Sequence, residues 1–310
     1  MKLSIVTTLY YSSPYINEFY ERISKEAKKI TDDYEIIFVD DGSPDDSLQK
    51  AIELYKKDDK VKVIELSRNF GHHKAMMTGL RFAKGDYVFL IDSDLEEEPE
   101  LLGKFWEEMQ KDENVDVVYG VQEKRKGNWF ERWSGEMFYK IFNFFSDTKI
   151  PNNPITARLM NKIYLQNLIK YNEKEMNIFP IFYHAGFNQK RVKVKKHSTS
   201  RTTYNLRKKV NLFVNSIVSF SSKPLIYIFN IGLLITIVSF LFILKIIYDK
   251  LFYNIALEGW TSLMVSIWFF GGLIIMLLGV IGIYLSKIFI EVKNRPFSIV
   301  KNFYHKKEQE

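Results

Sequence analysis

The chain is 310 residues long, 46% hydrophobic and 26% charged, with a formal net charge of +7. That is enough for one sizeable domain plus an appendage. It has no cysteine, which excludes disulfides, thiolate metal sites and cysteine nucleophiles and is compatible with a cytosolic catalytic domain. No nucleic-acid partner is expected, and Leu3 to Tyr11 is too short and too rich in Thr and Tyr to read as a signal peptide.

In chain order, Leu3 to Leu9 reads as a strand, Pro14 to Ile30 as a helix, Tyr34 to Val39 as a strand, Asp45 to Tyr55 as a helix and Val61 to Leu66 as a strand. Lys74 to Ala83 then reads as a helix, Tyr87 to Ile91 as a strand, Pro99 to Lys111 as a helix and Val115 to Val121 as a strand. Strands alternating with helices imply an α/β fold with a mostly parallel sheet covered on both faces. Ligands bind such sheets beyond the carboxyl ends of the strands. Polar clusters fall at three of those ends: Thr7 to Tyr11, Asp40 to Ser43 and Asp92 to Glu96.

The third cluster is the most telling. A buried strand that ends in Asp92, Ser93 and Asp94 delivers two carboxylates to an exposed edge, which suits Mg²⁺ or Mn²⁺ holding a diphosphate and so points to nucleotide-sugar chemistry. The same residues also suit an ordinary strand-to-helix turn with an acidic first turn, and Asp40 to Ser43 is itself a competent turn. His72 and His73 lack Asp or Cys partners at metal-ligand spacing, so no histidine metal site is expected.

The C-terminal third changes character. Leu225 to Ile247 and Thr261 to Leu285 are apolar and nearly uncharged, each long enough to cross the roughly 30 Å hydrocarbon core at 1.5 Å per residue. A pair of buried core helices is the competing reading, although core helices seldom lack a polar face over such a length. Arg207, Lys208, Lys209 and Lys223 precede the first span and Lys287, Lys293, Arg295 and Lys301 follow the second. By the positive-inside rule both ends lie in the cytoplasm. Arg207 to Phe220 has apolar residues at helical spacing and reads as an amphipathic helix in the membrane interface, or as a helix packed on the catalytic domain. The expected boundaries are 1–205 for the catalytic domain, 206–223 for the juxtamembrane helix, 224–289 for the hairpin and 290–310 for a cytoplasmic tail.

The ordered set Ser4-Ile5-Val6-Thr7-Thr8-Leu9-Tyr10, Val39-Asp40-Asp41-Gly42-Ser43, Ser67-Arg68-Asn69-Phe70-Gly71-His72 and Asp92-Ser93-Asp94-Leu95 resembles the GT-A glycosyltransferases of family 2. With the two spans, Gly259-Trp260-Thr261-Ser262 and Glu291-Val292-Lys293-Asn294-Arg295-Pro296 are similar to its membrane-bound polyprenyl-phosphate branch. The resemblance implies a GT-A domain in a bacterial plasma membrane, assembled as a homo-oligomer. It would transfer a sugar, with inversion, from a nucleotide-sugar donor to polyprenyl phosphate. It implies that Thr8, Tyr10, Asp40 and Asp41 hold the nucleotide, that Arg68 and His72 line its pocket, and that Asp92 and Asp94 hold the metal.

Three departures stand out. Thr8 and Ser12 replace a common Pro and Glu, Glu96 replaces a common Gln and is a third candidate metal ligand, and Thr156 replaces the Asp of a Gly-Asp-Phe-Arg-Leu-Met motif whose arginine survives as Arg158. A lipid phosphate is already an anion and needs no general base, whereas a sugar hydroxyl normally does. Lys124-Arg125-Lys126 and Arg132 supply cations for a phosphate, although a basic loop near anionic lipid has the same composition. Asp94, Arg125, Arg132 and Arg158 are therefore the residues expected to act in the transfer. The competing functions are transfer to a hydroxyl of a lipid-linked glycan, and a noncatalytic membrane scaffold.

Overall fold

The computed structural model describes residues 2–122, 137, 140–145, 149–195, 221, 223–253 and 259–306. The chain forms two compact units, one of residues 1–140, 148–205 and 294–310 and the other of 141–147 and 206–293.

The first unit alternates β1 (Leu3–Leu9), α1 (Ile16–Ile30), β2 (Tyr34–Asp40), α2 (Ser47–Lys57), β3 (Val61–Leu66), α3 (His72–Phe82), β4 (Tyr87–Leu90), α4 (Leu101–Gln110) and β5 (Val117–Gln122). It continues through β6 (Pro154–Asn161), α5 (Lys162–Leu168), α6 (Ile178–His184) and β7 (Gln189–Val194). The second unit contributes α7 (Lys223–Tyr253) and α8 (Trp260–Val292), after which β8 (Val300–Tyr304) returns to the first.

One eight-stranded sheet runs β7-β5-β6-β4-β1-β2-β3-β8. Its centre, β3-β2-β1-β4, is parallel, and β1 and β2 are buried at every position, the polar Ser4, Thr7, Thr8, Glu35 and Asp40 included. One face packs Phe19 and Ile23 of α1 and Leu102 and Phe105 of α4 against Ile5, Phe38 and Phe89. On the other, Gly79 lets α3 lie directly on the sheet, since an added Cβ would stand 2.5 Å from Val6 and 2.8 Å from Val39.

Two strands run against this direction. β6 pairs antiparallel with both β4 and β5, and β8 pairs antiparallel with β3 on the outer edge. The sequence reading takes 290–310 as a tail, whereas Val300–Tyr304 close the edge of the catalytic sheet. Glu65 anchors them, its carboxylate accepting from Lys301 (2.5 Å), Asn302 (2.6 Å) and the Tyr304 hydroxyl (3.2 Å).

In the second unit, stretches of 20 residues (Lys223–Phe242) and 27 residues (Ser266–Val292) are long and apolar enough to cross a membrane, and neither is buried. Phe144 stacks on Tyr227 while Tyr284 donates to the Ser221 carbonyl at 2.9 Å. The amphipathic helix expected over Arg207 to Phe220 lies outside the described residues.

Candidate active site

Three parallel strands end side by side and pour their loops into one place. Register sets Leu9 of β1 beside Asp40 of β2, and Asp41 donates its N–H to the Leu9 carbonyl (3.1 Å) while Ile91, after β4, donates to Val6 (3.1 Å). Hydroxyls then stitch the loops together. The Ser93 hydroxyl donates to the Thr8 carbonyl (2.9 Å) and lies 3.1 Å from the Ser12 hydroxyl, and the Ser12 N–H donates to the Ser47 hydroxyl (3.0 Å). Ser12, where a glutamate is common in the resembling family, is thus a buried joint between the first and third loops.

Asp41 is committed to the backbone. Its two oxygens accept the N–H groups of Phe70 (2.7 Å) and Gly71 (3.0 Å), fixing the entry to α3. Burial raises its carboxyl above the ordinary value in spite of those bonds. Gly42 makes this crossing possible: its φ is +64°, and a Cβ there would lie 2.6 Å from the Asn69 nitrogen. Asp40 is 2% exposed, and burial pushes its carboxyl up to about 6 even though Oδ2 accepts from Gly42 at 3.2 Å.

Tyr10, by contrast, is 49% exposed, with its ring edge-on to Tyr11 at 4.9 Å. Arg68 lies on the open side as well, its guanidinium 4.1 Å above the Phe70 ring. Backbone strain gathers here, with Tyr11 (φ 56°) and Leu95 (φ 59°) both in the left-handed region.

Asp92 sits at the centre. On one side His72 Nε2 lies 3.2 Å from its Oδ1, and His72 Nδ1 in turn lies 3.1 Å from the Thr8 hydroxyl. Desolvation opposes charge on the His72 ring, but Asp92, Asp41 and Asp94 together outweigh it and raise its pKa. On the other side the Thr156 hydroxyl donates to Asp92 Oδ2 at 2.8 Å. The β4–β6 pairing explains this contact: Leu90 faces Arg158, so two residues further the antiparallel register sets Thr156 opposite Asp92. Asp94 Oδ1 accepts the Glu96 N–H at 3.0 Å.

Two residues behave differently from their sequence reading. Arg158 is fully buried: its guanidinium lies 3.2 Å above the Phe182 ring and donates to the carbonyls of Thr156 (3.2 Å) and Ile155 (3.3 Å). It is not brought to the open side of the loops with Tyr10 and Arg68. Glu97, one more acid in an acidic run, is also fully buried, and its oxygens accept the N–H groups of Thr156 (3.0 Å) and Ala157 (2.7 Å). Arg125 and Arg132 lie outside the described residues.

Among the described residues no group of three or more His, Asp or Glu is gathered as a ready metal cage. The donor set still suits a hard cation, because Mg²⁺ is commonly held by one or two carboxylates with substrate phosphates completing the shell. Asp92 and Asp94 are two such carboxylates at one strand end.

A mostly parallel sheet with acidic loops at its carboxyl edge, stitched to an antiparallel β6, defines a GT-A glycosyltransferase. The chain belongs to glycosyl transferase family 2, whose profile matches residues 4–171. It is 47% identical over 98% of its length to a glycosyltransferase-named protein of Mycobacterium tuberculosis, covering 89% of that protein. It is 32% identical over 97% of its length to the SfII prophage-derived bactoprenol glucosyl transferase of Shigella flexneri, covering 98% of that enzyme. Among solved structures, the mannosyltransferase PcManGT of Pyrobaculum calidifontis, in complex with GDP-Man and Mn²⁺, shares the fold at a TM-score of 0.50 and 16% identity, over 70% of this chain and 63% of that one.

Proposed function

We propose that this glycosyltransferase moves a sugar, with inversion, from a nucleotide-diphosphate donor to polyprenyl phosphate at the cytoplasmic face of a bacterial plasma membrane. Thr156 carries the acceptor assignment. The group facing Asp92 across β6 is a hydroxyl that donates to it, not a further carboxylate able to take a proton from an acceptor. A phosphate monoester arrives as an anion and requires no such base. The Shigella relative, similar along the whole chain, is named for glucosyl transfer to bactoprenol.

In this reading an oxygen of the acceptor phosphate bonds to the anomeric carbon as the bond to the donor diphosphate breaks, and the electron pair leaves on the diphosphate. Thr8, Tyr10, Asp40, Asp41, Arg68 and His72 hold the nucleotide, the exposed Tyr10 ring offering a stacking face. Asp92 and Asp94, with Glu96 beside them, would hold Mg²⁺ or Mn²⁺, which neutralises charge on the departing diphosphate. Arg125 and Arg132 hold the acceptor phosphate.

Topology is compatible with the membrane placement. β8 follows α8 yet pairs with β3, which precedes α7, so the chain crosses a bilayer an even number of times between them. Both helices crossing as a hairpin meets that condition, and their uncovered apolar length calls for lipid.

The test is to incubate the detergent-solubilised protein with Mn²⁺, undecaprenyl phosphate and a panel of UDP, GDP and dTDP sugars, followed by mass spectrometry of the lipid fraction. A lipid heavier by one sugar is expected, falling at least about a hundredfold in Asp94→Asn. Donor hydrolysis without a lipid product would move the acceptor to a glycan hydroxyl.

A further inference from the structure

The β6 flank of the Asp92 loop is built at unusual cost. Around Thr156 the strand's backbone groups are claimed by buried charged side chains instead of by a neighbouring strand. Glu97 takes the N–H groups of Thr156 and Ala157, and Arg158 donates to the carbonyls of Ile155 and Thr156. Both side chains are fully buried, and among the described residues Arg158 Nη1 has no hydrogen-bond partner. Regular pairing with β5 breaks at the same place, where the register shifts between Tyr119 and Val121. Burying charged groups in a sheet is expensive and is no efficient route to stability. What the arrangement achieves is a fixed position for one small polar group, the Thr156 hydroxyl, 2.8 Å from Asp92 Oδ2.

We propose that Thr156 is a positioning residue of the transfer site. Its hydroxyl, mounted by Glu97 and Arg158, holds the Asp92 carboxylate in the one orientation in which it serves the metal–diphosphate. His72, 3.2 Å from the other oxygen, steadies the opposite side. The residue type follows from the geometry. A hydroxyl donates to a carboxylate, valine of the same shape does not, and an aspartate at this distance would repel Asp92 or share a proton with it. Thr156 touches neither substrate nor metal in this scheme and acts through Asp92. The inference rests on reading the Asp92 loop as the nucleotide-diphosphate site.

The experiment compares Thr156→Val and Thr156→Ser with the wild type, each as the full chain in detergent. Mn²⁺ binding is titrated by electron paramagnetic resonance with UDP or GDP present, and melting temperatures are recorded without ligand. Groups that hydrogen-bond a metal ligand commonly contribute ten- to a hundredfold in metal affinity. Thr156→Val is therefore expected to weaken Mn²⁺–nucleotide binding about tenfold or more, and Thr156→Ser to restore it to within about threefold. In the lipid-product assay the loss should appear in the donor KM and in the Mn²⁺ requirement, with melting temperatures close to wild type. Wild-type affinity in Thr156→Val overturns the proposal, as does a serine variant as weak as the valine one. Failure of the wild type to bind either nucleotide with Mn²⁺ overturns instead the reading of the loop, and the proposal with it.

Discussion

The two flanks of the Asp92 loop are made of opposite materials. On the β1–β2–α3 flank, side chains reach solvent: Tyr10 and Arg68 are exposed, and His72 is 49% exposed. On the β6 flank everything that matters is buried, with Glu97, Thr156 and Arg158 at or below 5% exposure. The first flank is a surface that a ligand can meet, and the second is a mount. Substitutions on the first should change binding and leave the fold intact, whereas removing the buried charges of the second, Glu97 or Arg158, should damage both.

The sharpest way to break the contrast is Glu97→Gln. One glutamine oxygen can accept only one of the two N–H groups at 156 and 157, and its amide would point a donor at the other. Stranding a buried donor and losing a charge-assisted bond costs about 3 kcal/mol. A clear drop in melting temperature together with weaker Mn²⁺–nucleotide binding is expected. Asp94→Asn, at a half-buried position of the loop itself, should abolish lipid product with little change in melting. If Glu97→Gln melts like the wild type, the β6 flank is not the mount described.

Asp40, buried like its neighbour Asp41, is an exception that sharpens the comparison, an acid on the binding flank that does not reach solvent. Its folded pKa of about 6 lies above the ordinary carboxylate value, so the unfolded chain ionises first as pH rises. Stability attributable to Asp40 is thus intact below about pH 4, falls between about pH 4 and 6, and stays lowered above that. A two-unit shift corresponds to about 2–3 kcal/mol. Asp40→Asn, which retains an acceptor for the Gly42 N–H, should therefore raise the melting temperature at pH 7.5 and leave it unchanged at pH 4. Weaker donor binding in the same variant would identify the buried charge as a cost retained for function.

The two flanks also differ in how legible they are from the chain. β1, β2 and β4 are short, mostly apolar stretches between turn residues, so their ends, and with them Thr8, Asp40 and Asp92, can be placed by local pattern alone. The mount is non-local. Glu97 reads as one of a row of acids, and only pairing across 59 residues shows that it holds Thr156. Arg158 is expected to act in the transfer because it matches the arginine of the family motif, and only the packing of α6 shows its guanidinium sealed against Phe182. β8 is the extreme case: Val300–Tyr304 mixes polar and aromatic residues without a long apolar run, and its anchor on Glu65 lies 236 residues away from Lys301.

That edge strand supplies the smallest expected effects and divides in the same way. Phe303 packs on Phe82 with centroids 4.8 Å apart and is partly buried, so Phe303→Ala should cost about 1–2 kcal/mol, below the range for a fully buried phenylalanine. Lys301 is mostly solvated, and the gain of its bond to Glu65 is largely offset by dehydrating and fixing its ammonium, so Lys301→Ala should melt indistinguishably from the wild type. Asn302 and Tyr304 would still hold the Glu65 carboxylate. If the lysine variant nevertheless unfolds β8, detected as new protease cleavage after residue 295 with the sheet otherwise intact, charge and not packing fastens the strand. Binding chemistry and mounting chemistry would then be mixed on this edge as they are not around Asp92.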